Sequence, residues 1–97
     1  MTARAQVERA GRQPVRWAAR VGRFLGRARD YSATGMFIEL ADPIVVGSSV
    51  DVVLDLEFNG ERLKMLCSGD VVRTEQTEER RGIGIRFNQP AKIVPVG

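Results

Sequence analysis

Apolar and polar residues alternate most regularly in the middle of the chain. Every second residue across positions 50–58 is apolar, which is typical of a strand with one buried face. Asn59-Gly60 follows, and this dipeptide is a strong signal for a tight hairpin turn. The alternation then resumes, with Leu63, Met65 and Cys67 on the apolar face. The pattern therefore predicts a β-hairpin.

Two periodicities compete in the N-terminal third. The first is helical, since arginines recur at steps of three and four, at Arg9, Arg12, Arg16, Arg20, Arg23 and Arg27. Pro14, Gly22 and Gly26 interrupt it. The second is a strand period that groups Trp17 with small apolar neighbours on one face. We predict a strand over residues 12–21, a turn at Gly22-Arg23 and a second strand over residues 24–29.

The remaining segments also favour short strands. Strands are expected at residues 36–40, 62–73 and 82–87, with a bulge or bend at Gly69 and loops at 41–48 and 74–81. The tail from residue 88 contains Pro90 and Pro95 and is too short and broken for a long helix. Six or seven strands without a confident helix predict a small antiparallel barrel or sandwich. We assign residues 1–11 to a flexible basic segment and residues 12–97 to one all-β domain.

The amino-acid composition limits the kinds of catalytic and metal site that the chain can form. A length of 97 residues is enough for one modest core. Histidine is absent, which excludes Ser-His-Asp and Cys-His catalysis and any zinc set that contains histidine. One cysteine cannot form an internal disulfide, and the N-terminus lacks the apolar stretch of a signal peptide. We expect a cytoplasmic binding module without a membrane span, a metal or catalytic residues.

Charge is distributed unevenly along the chain. Residues 1–29 hold eight arginines against Glu8 alone, a net charge of +7, whereas the remaining residues carry a net charge of −4. A basic N-terminal region indicates an anionic partner, and arginine favours planar, bidentate contacts over diffuse attraction. A solvated basic arm is the plainer interpretation of the same pattern.

A short polar segment follows the arginines, at residues 30–35, and reads D-x-S-x-x-G. Aspartate, serine and glycine are common turn residues, so a turn alone accounts for them. In a binding site, Asp30 could accept hydrogen bonds from a guanine N1–H and N2 amine, and Ser32 could contact a phosphate oxygen. Gly35 would let a ligand or the backbone approach closely.

The order of these motifs resembles the PilZ domain family over about residues 9–88. The shared features are N-terminal arginines, D-x-S-x-x-G leading into "GMFIEL", a later "VVR" strand and a final "GIGIRF" strand. The resemblance implies a bacterial β-barrel that binds cyclic di-GMP, with a C-terminal helix short or absent here. It also implies that an R-x-x-x-R motif clamps guanine and phosphate, and that Asp30, Ser32 and Gly35 hold the opposite side.

Two assignments of the arginine clamp remain open. Arg12 and Arg16 have the R-x-x-x-R spacing; alternatively Arg12 is the second arginine, so that Glu8 occupies the first position and Arg9 lies one residue out of step. Tyr31 stands where the family usually has a small aliphatic residue; we interpret it as a packing residue, with stacking on the ligand as the alternative. We expect ligand binding to order the arginine-rich segment and so signal to a partner protein or domain. The alternatives are a nucleotide-independent adaptor and a barrel that binds nucleic acid or a membrane surface through its basic arm; nucleic acid is not the partner we expect.

Overall fold

The part of the chain that the structure describes forms seven antiparallel strands. The computed structural model describes residues 12–78 and 80–96. The strands are β1 (Gln13–Val21), β2 (Phe24–Tyr31), β3 (Gly35–Leu40), β4 (Ser49–Phe58), β5 (Glu61–Gln76), β6 (Arg81–Phe87) and β7 (Lys92–Pro95). These described residues include no helix, and none that could cross a bilayer. The all-β prediction is confirmed.

Six of the strands close into a barrel. Their order is β4-β1-β2-β3-β6-β5, and pairing of β4 with β5 completes the ring. The seventh strand, β7, lies outside the ring and pairs with residues 63–66 of β5. Closure leaves few unpaired edges, which is how small barrels limit unwanted strand pairing. The predicted barrel is therefore confirmed, with one additional strand.

The alternating residues fill the barrel interior. Its most deeply buried side chains are aliphatic: Val21, Met36, Ile38, Val52, Leu54 and Val71. Cys67 is buried among them, and Trp17 packs partly buried against the same cluster. Burying these apolar surfaces is the main source of stability for such a fold. The core positions predicted for Trp17 and Cys67 are confirmed.

Two tight turns set the strand register. Gly22 begins the β1–β2 turn with a φ of 60°, the pattern of a II′ turn. Asn59 and Gly60 both have positive φ, at 54° and 80°, as a I′ turn requires. Both turn types match the right-handed twist of the strands they join, so these two predicted hairpins form as expected.

The predicted boundaries differ from the structure in four places. Strand β2 continues through Tyr31, so Asp30 lies within a strand and the turn follows it. Strand β5 continues to Gln76, because the backbone of its last residues pairs with β6. Charged side chains are compatible with this pairing since a strand can keep one of its faces in solvent. The bulge in β5 falls between Val71 and Arg73 and not at Gly69. The tail forms β7, which no periodicity over four residues could have indicated. The segment of residues 1–11, predicted to be flexible, lies outside the described residues.

Candidate functional site

An ion pair joins the two halves of the predicted site. Asp30 lies near the end of β2, directly opposite Pro14 of β1. Arg12 precedes β1, and its Nη1 donates to Asp30 Oδ1 at 2.6 Å. The Arg12 side chain is 45% exposed and that of Asp30 is 28% exposed, so both groups can reach solvent. Strand pairing thus brings together residues that are 18 positions apart in sequence.

A bulge next to this pair gathers two more arginines. The register of β1 and β2 shifts between Pro14 and Trp17, so that Val15 and Arg16 lie opposite Arg29 alone. Bulges of this kind redirect side chains beside functional sites. Arg16 and Arg29 line one surface depression, and Arg29 also pairs with Glu39 at 2.9 Å. The outer face of β1 and β2 therefore presents several guanidinium groups beside Asp30.

Ser32 holds the turn that follows β2. Its hydroxyl donates to the Gly35 carbonyl and accepts from the Thr34 backbone N–H, both at 3.3 Å. The Ser32 backbone N–H also donates to the Gly35 carbonyl, at 2.9 Å. Only 8% of Ser32 is exposed. The turn interpretation thus accounts for the Ser32 contacts that the structure contains.

Gly35 is explained by strand packing. It begins β3 and lies opposite Arg86 of β6. A Cβ placed on Gly35 would collide with the backbone carbonyl oxygen of Ile85. A side chain would therefore push β3 away from β6, and glycine permits the close approach. The close approach observed here is between two strands.

Tyr31 packs inward beside the turn. Its ring centroid lies 5.6 Å from that of Trp17 and 5.9 Å from that of Phe87, both at tilted angles. Such geometry is favourable for aromatic pairs. Burial raises the pKa of the Tyr31 hydroxyl, with a smaller contribution from Cys67. These contacts agree with the packing interpretation.

Sequence reasoning missed an arginine-covered phenylalanine on the same outer face. Phe37 lies between Asp30 and Gly84 in the strand pairing, and its side chain is fully buried. The Arg80 guanidinium lies 4.0 Å from the ring centroid and that of Arg73 lies 5.7 Å away. The signal was the "GIGIRF" segment, because Gly82 leaves room on the outer face for the Phe37 ring and Gly84 leaves room for the Arg73 side chain that covers it.

The site thus combines one carboxylate with nearby cations. Arg12 contacts Asp30, Arg16 lies across from Arg29, the residue before Asp30, and Ser32 and Gly35 shape the adjoining turn. Arg9, the alternative clamp residue, lies outside the described residues. A carboxylate accepts from the amide-like edge of guanine, while guanidinium groups bind phosphate or the O6/N7 edge. The arrangement suits an anionic ligand that also carries a base.

Comparison with known proteins gives a family and a fold. A family model described as PilZ domain matches residues 4–93. The solved structure of Bacillus subtilis Inhibitor of motility (MotI/DgrA) is similar in fold, with a TM-score of 0.70 and 16% sequence identity. The likeness covers 81% of this chain and 41% of that one. This chain thus spans less than half of that structure's length. No curated protein matches the sequence.

Proposed function

The chain belongs to the PilZ domain family, and from this premise we propose that it is a binding module for the bacterial second messenger cyclic di-GMP. The family is one of cyclic di-GMP receptors. The observation that carries the proposal is the 2.6 Å contact between Arg12 and Asp30. It unites residues of the two sequence motifs that, by the family resemblance, hold opposite sides of the nucleotide.

The contacts follow from the chemistry of the ligand. Cyclic di-GMP has two phosphodiester charges and two guanines, which present N1–H and N2 donors beside O6 and N7 acceptors. In this proposal Asp30 accepts from the guanine donors, and the guanidinium groups of Arg12 and Arg16 bind phosphate and the O6/N7 edge. The ligand replaces the Arg12–Asp30 contact with one contact to each partner. Arg9 is a further candidate for the clamp.

The proposed output is a change of surface. When the arginines engage the nucleotide, the N-terminal segment closes over it and the face offered to a partner protein or domain changes. This mechanism requires binding alone, so we propose a binding module and not an enzyme. Cyclic di-GMP is the ligand and no other cofactor is part of the proposal. A bacterial cytoplasmic location follows from the ligand proposed.

A nucleotide-independent adaptor is the second candidate, and two observations favour it. Asp30 already has a cationic partner in Arg12, and the Ser32 hydroxyl makes its contacts within the turn. In that case the polar segment is structural, and protein contacts alone carry the signal.

Calorimetric titration with cyclic di-GMP separates the two candidates. The receptor proposal predicts saturable heat that GMP at the same concentration does not produce, since GMP supplies only one guanine and one phosphate. Absence of heat at high micromolar cyclic di-GMP would overturn the receptor proposal in favour of the adaptor.

A further inference from the structure

An exposed leucine surrounded by arginines lies at the end of the barrel away from Asp30. Leu25 is 75% exposed, next to the β1–β2 turn. Arg20 lies directly opposite it on β1. Arg27 is two residues further along β2, so its side chain lies on the same outer face as Leu25, and Arg23 lies in the turn. We call Arg20, Arg23, Leu25 and Arg27 the hairpin tip.

The three arginines of the hairpin tip contact no carboxylate of the described residues. Among residues 12–78 and 80–96, the basic side chains within 4.0 Å of a carboxylate are Arg12, Arg29, Lys64 and Arg80. The Arg23 guanidinium lies 5.6 Å from the Phe24 ring centroid, which positions it without neutralising its charge. The tip is therefore cationic and apolar at once.

A second apolar loop lies at the same end. The loop of residues 41–48 joins β3 to β4 and exposes Val45 and Val46, at 76% and 52%. Val45 and Phe24 line one depression between this loop and the hairpin tip. Backbone hydrogen bonds fix the loop, from Ser48 N–H to the Val45 carbonyl and from Gly47 N–H to the Val71 carbonyl. The valines are thus held outward by an ordered loop.

We propose that this end of the barrel docks on the surface of an anionic lipid bilayer. Arginines with no carboxylate partner in the described part of the chain complement anionic headgroups. Aliphatic side chains on projecting turns are stabilised when they leave water for the boundary of the acyl chains. Nucleic acid would account for the arginines but leaves three exposed aliphatic residues unexplained, and Phe24 packs partly buried against the core, which limits it as a base-stacking surface. The acidic residues beside the tip include Glu39, which lies opposite Arg27 and pairs with Arg29, and Asp51, whose backbone carbonyl accepts from the Gly22 N–H. Within the described residues, neither carboxylate lies within 4.0 Å of a tip arginine.

This docking mode is separate from the proposed nucleotide site. Strands β1 and β2 run the length of the barrel between the hairpin tip and the Arg12–Asp30 pair. With the tip against a bilayer, the nucleotide site faces away from the membrane and stays accessible. Lipid binding can therefore succeed or fail whether or not cyclic di-GMP binds.

Vesicle sedimentation with the full chain tests the proposal. The probe is vesicles of phosphatidylcholine containing about one third phosphatidylglycerol, compared with pure phosphatidylcholine, because only the former attract basic residues. Binding is expected to the anionic vesicles and to weaken at high salt. The triple variant Arg20→Ala, Arg23→Ala, Arg27→Ala should lower the partition coefficient on the order of 100-fold, since each arginine contributes about fivefold.

Matched variants distinguish docking by the hairpin tip from attraction by the overall charge of the protein. Arg62→Ala removes an exposed arginine at the opposite end of the barrel, beside Asn59-Gly60. It should change partitioning less than twofold, because salt screens a charge that lies far from the bilayer. Leu25→Ala with Val45→Ala should also weaken binding, because a bilayer rewards aliphatic burial. All substituted side chains are exposed, so the variants should keep the wild-type circular dichroism and thermal midpoint.

Several results would overturn the proposal. Equal partitioning to neutral and anionic vesicles would remove its electrostatic basis. If Arg62→Ala were as damaging as the triple variant, the tip would not be the docking site. If the aliphatic variants bound like wild type, the tip would be a simple anion site. Binding to duplex DNA without binding to vesicles would assign the tip to nucleic acid. Cyclic di-GMP titration of the triple variant should match wild type, which keeps the two proposals distinguishable.

Discussion

Replacing Asp30 with alanine should weaken cyclic di-GMP binding while leaving the barrel intact. The Asp30 carboxylate contacts Arg12 and has access to solvent, so it can take the guanine N1–H and N2 donors. A hydrogen bond to a charged group contributes about 1.5–3 kcal/mol, which corresponds to a tenfold to 150-fold loss of affinity for one such bond. A guanine that uses both donors would lose more.

The folded state should lose far less. Asp30 is 28% exposed and its partner Arg12 is 45% exposed, so solvent screens the ion pair. Exposed pairs stabilise proteins by about 0–1 kcal/mol. For a domain of this size, 1 kcal/mol shifts the thermal midpoint by roughly 4–8 °C, so the shift expected for Asp30→Ala is smaller than that. The affinity and stability effects are therefore separable.

A matched control is available in the pair of strands formed by β4 and β5. Asp55 and Lys64 form an ion pair of the same 2.6 Å length between β4 and β5. Asp55→Ala removes an equivalent charge and contact from the β4–β5 pair, outside the β1–β2 pair that carries Arg16 and Asp30. Calorimetric titration should show the loss for Asp30→Ala alone, and thermal melts should show similar small shifts for both. Unchanged affinity in Asp30→Ala, or an equal loss in Asp55→Ala, would refute the site assignment.

Three further predictions test neighbouring features. Arg12→Ala should lower cyclic di-GMP affinity more than Arg23→Ala in the same titration, because Arg12 contacts Asp30 and Arg23 lies at the other end of the hairpin; the reverse order would contradict the clamp assignment. Gly35→Ala should lower the urea midpoint by the equivalent of about 1–3 kcal/mol, since its Cβ would collide with the Ile85 carbonyl; an unchanged midpoint would show that β3 can move away without cost. Burial raises the pKa of Cys67 to about 11 from an ordinary value of 9.0, so the folded chain keeps a proton that the unfolded chain loses. The free energy of unfolding should therefore fall by roughly 1–3 kcal/mol between about pH 9 and 11, and Cys67→Ala should show a smaller fall across that range in urea titrations at each pH.

Local patterns predicted the hairpins because their causes are local. Alternation across residues 50–58 specifies which face is buried, and Asn59-Gly60 adopts the positive φ that a I′ turn needs. The competition between helix and strand at residues 12–21 was decided by Pro14 and the glycines, and β1 is indeed a strand. The order of these strands, taken with the motifs, was enough to indicate the family.

The details of the site depended on pairings that no local pattern contains. The bulge that sets Arg16 beside Arg29 arises from a register shift between two strands. Burial of Phe37 on an outer face depends on Gly82, which makes room for its ring, and on Gly84, which makes room for the Arg73 side chain. Both glycines come from a strand distant in sequence, and the covering arginines come from β5 and the loop after it. The extension of β5 to Gln76 likewise depends on its partner β6. Tertiary pairing decides each of these features.

The D-x-S-x-x-G segment divides into residues with different roles, and this division determines which substitutions are informative. Ser32 is buried and its hydroxyl bonds within the turn, while Gly35 allows β3 to approach β6. Substituting either residue would disturb the turn or the strand pairing, and any loss of nucleotide binding would follow indirectly. Of these three residues, Asp30 combines partial solvent access with a cationic neighbour. Loss of binding in Asp30→Ala therefore reports on a ligand contact, whereas loss in Ser32 or Gly35 variants reports first on the scaffold that presents Asp30.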